Sequence, residues 1–198
     1  MATQHRQDRQ DRQDRMPPIA AELMTTDQKK AAEAFAAGRG YGVRGPFAVM
    51  LRSPEVMLRA KAMGDYLRFR NVLPKRVSEM VILITAREWT QQYEWAYHYG
   101  FALEAGLSQA IIAAIAEGRR PEAMQEDEAA AYDFSVELHR RRSVSDVTYA
   151  QALKLFGEQG IIDLVGISGY YTFNAMMMNV ARSHVDIDNV PPLQHFPD

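Results

Sequence analysis

The chain contains no cysteine among its 198 residues. That absence excludes disulfides, thiolate nucleophiles, thiolate-bound zinc and iron–sulfur clusters. Thiol peroxidase chemistry, which needs a thiolate, is excluded with them. No apolar run reaches the length of a membrane span, and the N-terminus has no apolar stretch resembling a signal peptide, so no membrane partner and a cytoplasmic location are expected. A formal net charge of −2 gives no electrostatic footprint for nucleic acid. No segment alternates apolar and polar residues long enough to make a strand, and no repeat of 20 to 50 residues occurs.

What is present reads as helix after helix. Residues 7–15 are three Gln-Asp-Arg triplets with nothing to bury, so residues 1–18 are expected to be a solvated low-complexity tail and residues 19–198 a single all-α domain. Thr25-x-x-Gln28 has the form of a capping box, and it opens an Ala-rich helix expected to stop at Gly38. The Gly- and Arg-rich segment 38–46 matches no phosphate-binding motif and reads as a loop closed by Pro46. Ser53-Pro54 starts a helix to about Arg70, Pro74 starts the next, and Tyr93–Ala105 follows, ended by Gly106. Ser108 caps a short helix to about Glu117, and further helices are expected over Glu126–Arg141, Asp146–Glu158 and Ile161–Ser183. The last is apolar around most of its circumference, through Ile161, Leu164, Val165, Ile167, Tyr170, Tyr171, Phe173 and Met176–Met178. Such a helix must be buried all round, centrally in one domain or against a second subunit.

One stripe carries candidate chemistry. Gln91, Glu94 and His98 stand at i, i+3 and i+7, on one face of a helix. Glu94 is close enough to His98 to hold its imidazole proton, which predicts a raised His98 pKa. Glu79 interrupts the apolar face of the preceding helix and needs a partner if buried. A hairpin of the two helices would bring it beside the stripe. No His/carboxylate set has a metal-site spacing such as His-Glu-x-x-His, so neither a metal nor another cofactor is expected.

The segment from Glu79 to His98 resembles the alkylhydroperoxidase D-like branch of the carboxymuconolactone decarboxylase superfamily. That pattern is a Glu followed by Cys-x-x-Cys-x-x-x-His. Glu79 and His98 stand at the matching spacing, with Gln91 and Glu94 at the two cysteine positions. The likeness covers about Pro74 to Gly118 and includes Phe101-Ala-Leu-Glu-Ala-Gly106-Leu-Ser108. It implies an alkylhydroperoxidase D-like helical bundle assembled as a homo-oligomer: a dimer, trimer or hexamer. It also implies chemistry closer to the decarboxylases than to the peroxidases. Loss of CO2 from a small lactone or carbonyl acid needs a cation for the carboxylate, donors for the developing oxyanion and a proton source for carbon. Arg87 is the expected cation, Gln91 the oxyanion donor and His98 the proton donor, poised by Glu94 or Glu79. The alternative is a non-catalytic oligomeric binding module that lost its chemistry with its cysteines, its pocket plugged by Trp95 or Tyr97.

Overall fold

Helix ends in this protein are written in its caps, and the computed structural model places them accordingly. It describes residues 14–37, 39–183, 185 and 189–194. Helix α1 (Thr26–Ala36) opens on the reciprocal Thr25–Gln28 capping box. Helix α2 (Pro46–Met50) was not expected from the sequence. Proline at its first position is preset for helical φ, and the short turn follows Gly45 at φ +56°. Helices α3 (Pro54–Phe69), α4 (Lys75–Glu88), α5 (Gln92–Glu104), α6 (Gln109–Ala116) and α7 (Glu126–Arg141) follow. Helix α8 runs over Asp146–Ala181 with a non-helical Gly157 inside it. The two final helices expected from the sequence are therefore joined across a kink rather than separated by a loop. All described elements are helical, with a single 3-10 turn at Ala21–Leu23 ahead of them.

The turn between α4 and α5 fixes the geometry that matters most. Gln91 N donates to Ala86 O at 2.8 Å and Thr90 N to Arg87 O at 3.0 Å, a Schellman closure with Thr90 left-handed at φ +46°. Gly106 and Gly118 end α5 and α6 by the same pattern, at φ +91° and +73°, where glycine carries no Cβ penalty.

Helix α4 is the axis of the fold, with every residue from Val77 to Arg87 buried. It packs against α5, α6, α7 and α8, while α1 packs on α3 and α2 lies against α8. Asp163 of α8, buried, accepts from Tyr66 Oη at 3.0 Å and from Val72 N at 2.9 Å, fixing the α3–α4 loop to the bundle.

Helix α8 is not buried all round within the chain. Ile161, Leu164, Ile167, Tyr170, Tyr171 and Met178 face the core, whereas Ile162, Val165, Met176 and Val180 are exposed. Spacings of 3, 11 and 4 put these four on one stripe. Of the expected tail, residues 1–13 lie outside the described residues. Arg15, by contrast, donates its backbone N–H to Ala181 O at 2.8 Å, and Pro17 O accepts from Arg52 at 2.7 Å, so this part is tied to the bundle.

Candidate active site

The α4–α5 hairpin brings Glu79, Glu94 and His98 together, all with less than 4 % exposure. Glu79 Oε2 lies 2.7 Å from His98 Nδ1. Its other oxygen faces the ammonium of Lys75 at 2.7 Å, an ion contact off the line of a hydrogen bond. On the far side of the ring, His98 Nε2 is 3.6 Å from Glu94 Oε2. Tyr171 of α8 meets the imidazole edge-on, ring centres 5.0 Å apart at 90°, and so holds the ring's orientation.

Burial decides the protonation states. It alone would raise the Glu79 pKa, but the hydrogen bond from His98 and the charge of Lys75 outweigh it, and Glu79 is held below the usual carboxylate range. For His98 burial wins over the Glu79 contact and the pKa falls, opposite to the raised value expected from the sequence. A carboxylate within reach favours imidazolium, but removing that cation from water costs more here. The neutral ring then donates Nδ1–H to Glu79 and leaves Nε2 as a bare acceptor towards Glu94. Glu94 has no such compensation: burial pushes its pKa up to about 8, with Arg68 pulling weakly the other way. Its Oε1 is buried without a hydrogen-bond partner among the described residues. At neutral pH, then, the carboxylic acid of this trio is Glu94.

Glu94 and His98 open onto a cavity of about 60 Å³, room for roughly four waters at 10–15 Å³ each. Its walls include Phe35, Tyr41, Phe47, Tyr93, Tyr170 and Tyr171, together with Arg39, Arg44, Arg68, Tyr97 and Asn174. Asn174 Oδ1 is a second buried oxygen with no described partner. Among the described residues no group of three or more His, Asp and Glu has the arrangement of a metal site.

Two expected site residues take other places. Gln91 caps α5 rather than extending its stripe: its Oε1 accepts from Tyr93 N at 2.6 Å and Glu94 N at 3.4 Å. Its amide N–H donates to Asn179 at 2.9 Å. Arg87 is buried behind the hairpin, where its Nη1 donates to Gln194 O. It does not line the cavity; Arg44 and Arg68 do. Sequence reasoning passed over both of these. Arg44 sits in the loop before α2 and Arg68 near the end of α3, and only the tertiary fold brings them to α5. The visible hint was arginines among the glycines of the 38–46 segment. Trp95 is also clear of the cavity, its Nε1 donating to Pro191 O at 2.9 Å.

The arrangement defines a class: an all-helical protein with a buried Glu–His–Glu cluster on a helical hairpin, opening to an aromatic, arginine-bearing cavity. Residues 54–136 match the model of the carboxymuconolactone decarboxylase family. No curated protein matches the sequence. The fold is similar to that of the alkylhydroperoxidase AhpD core of an uncharacterized peroxidase-related protein from Ralstonia eutropha JMP134. That likeness has a TM-score of 0.70 at 15% identity and covers 87% of this chain and 92% of that one. It is also similar to a protein of unknown function from Agrobacterium tumefaciens, put forward as an antioxidant defence protein AhpD. Here the TM-score is 0.60 at 15% identity, covering 73% of this chain and all of that one. No helix among the described residues is long and apolar enough to cross a membrane.

Proposed function

We propose that this protein is a cofactor-free lyase of the decarboxylase type, acting on a small lactone or carbonyl acid by proton transfer from Glu94. The observation that carries the reading is a buried carboxyl group, held neutral near pH 7, at the position where the redox pattern places its second cysteine. A thiolate there serves peroxide reduction. A neutral carboxylic acid serves the delivery of a proton to carbon.

In this reading the C–C bond to the departing carboxylate breaks and its electron pair enters the ring as a dienolate. Glu94 then transfers its proton to carbon, CO2 leaves, and the Glu94 carboxylate regains one proton from water in the cavity. His98, neutral and oriented by Glu79, keeps an acceptor nitrogen towards Glu94 throughout. It stabilises the protonated acid before the transfer and shares the returning proton after it. Low dielectric around the trio strengthens each of these contacts.

The alternative, a non-catalytic binding module, anticipates a plugged pocket. Trp95 is turned into the core and Tyr97 forms a wall of an open cavity, which favours the enzyme. The exposed stripe Ile162, Val165, Met176 and Val180 supports the further proposal of a homo-oligomer that covers it.

The test is a screen of small lactone acids and carbonyl acids for CO2 release, with wild type and Glu94→Gln assayed together. A substrate turned over by wild type should lose about 10²–10⁴ in rate with Glu94→Gln. Equal rates in the two proteins would remove Glu94 from the mechanism.

A further inference from the structure

Several arginines of this protein pair with a carboxylate. In the basic depression beside α7, Arg120 pairs with Asp133 at 2.8 Å, Arg140 with Glu88 at 2.8 Å and Arg141 with Glu137 at 2.9 Å. At the cavity, Arg39 is neutralised in the same way by Asp65. Arg44 and Arg68 differ. Neither has a carboxylate partner among the described ion pairs, and both donate to one phenol oxygen, Tyr97 Oη, at 3.1 Å and 3.5 Å. The two cations therefore stand close together at one wall. They are held there by stacking rather than by counter-charge: Arg44 over Tyr41 at 4.0 Å, and Arg68 over Phe101 at 4.8 Å and Tyr97 at 5.1 Å.

Two like charges brought to one acceptor repel, and they are worth keeping together only where an anion arrives between them. With its two lone-pair directions facing Arg44 and Arg68, Tyr97 keeps its own hydroxyl hydrogen, for which no protein acceptor is found among the described hydrogen bonds. We propose that Arg44, Arg68 and Tyr97 form a carboxylate clamp that selects planar monoanionic acids and presents their unsaturated body to Glu94 and the aromatic wall. Arg44, exposed at the mouth, meets the incoming acid, and the half-buried Arg68 carries it inward.

The clamp and Glu94 depend on each other. An ionised Glu94 next to Arg68 would compete for the guanidinium and repel the bound carboxylate. The neutral acid does neither, so a site with Glu94 protonated accepts an anion that an ordinary carboxylate would turn away.

The proposal rests on the acid–base reading only for its orientation, and binding separates the two. Calorimetry with 2-furoate, a planar five-membered-ring acid, and with its neutral isostere 2-furamide probes the clamp directly at pH 6.5. Wild type should bind furoate and prefer it to furamide by at least about tenfold, the scale of one hydrogen bond to a charged group. Arg44→Gln and Arg68→Gln should each weaken furoate by about tenfold or more and leave furamide unchanged, with Arg68→Lys between them and wild type. Glu94→Gln should bind furoate at least as tightly as wild type even where turnover is lost, so failure of the chemistry leaves the clamp measurable. Equal affinity of wild type for furoate and furamide, or no binding of furoate at millimolar concentration, would overturn the clamp. Undiminished furoate binding in Arg44→Gln and in Arg68→Lys, neither of which removes a core residue, would overturn it as well.

Discussion

Replacing Glu94 by Gln keeps the shape of the side chain and removes the proton it can lose, and the consequence for stability follows from where that proton sits. In the folded protein Glu94 titrates near 8 instead of the ordinary 4.5. Below about pH 4.5 the group is protonated whether folded or unfolded, and its titration leaves stability unaffected. Between 4.5 and 8 the unfolded chain releases the proton and the folded protein keeps it, so stability falls as pH rises and levels off above 8. At about 1.4 kcal/mol for each tenfold change in acidity, wild type loses roughly 5 kcal/mol from this group across that window. Glu79 and His98, both with lowered pKa values, contribute stability that grows as pH rises, but they are common to both proteins. Urea unfolding at pH 5, 7 and 9 should therefore show Glu94→Gln close to wild type at pH 5 and progressively more stable up to pH 9. A difference that does not change with pH, or a variant that loses ground at pH 9, would show that Glu94 is ionised in the folded protein and would refute the assignment.

Four other outcomes are expected. His98→Asn should lower turnover of any verified substrate at least tenfold while circular dichroism stays helical; undiminished turnover would remove His98 from the relay. Gly45→Ala should cost about 1–3 kcal/mol, because a Cβ there, at φ +56°, would lie 2.6 Å from Tyr93 Cζ; an unchanged urea midpoint contradicts this. The pair Gln91→Cys with Glu94→Cys should form a disulfide that a dithiol reduces reversibly, since the side chain of residue 91 already folds over the backbone N–H of residue 94; free thiols after oxidation would place the two positions apart. Light scattering at micromolar concentration should give a mass of at least two chains if the α8 stripe is covered by a second copy; a clean monomer counts against that.

The parts of this protein that were legible in its sequence are those fixed by short-range physics. The Thr25–Gln28 capping box, Pro54 at a helix start, Gly106 in a left-handed closure and Ser108 as an N-cap each act within about one turn, and each marks its helix end. The nearness of Glu79 and His98 was legible for the same reason, because one turn joins the helices that carry them. Gln91 was misplaced because a helical stripe assumes the helix has begun, and at an N-cap the same side chain turns back onto backbone N–H groups. The His98 shift was misjudged because a sequence displays the neighbouring carboxylate but not the depth of burial that outweighs it. The roles of Arg44 and Arg68 were hidden because residues 29 and more positions from Tyr97 meet it only when α2, α3 and α5 pack around one cavity. The two final helices were legible as well, and they meet at a kink at Gly157, φ +66°, rather than across a loop.

The central claim is that the acid of this site is Glu94. Its most direct test is a carbon NMR titration of protein carrying glutamate labelled at the side-chain carboxyl carbon, with Glu94→Gln identifying the Glu94 resonance by its loss. The resonance should hold its protonated position through pH 6 and move with a midpoint near 8, while the Glu79 resonance stays ionised down to below the ordinary carboxylate range. A Glu94 midpoint near 4.5 would contradict the account, for it would leave a carboxylate where the mechanism needs an acid.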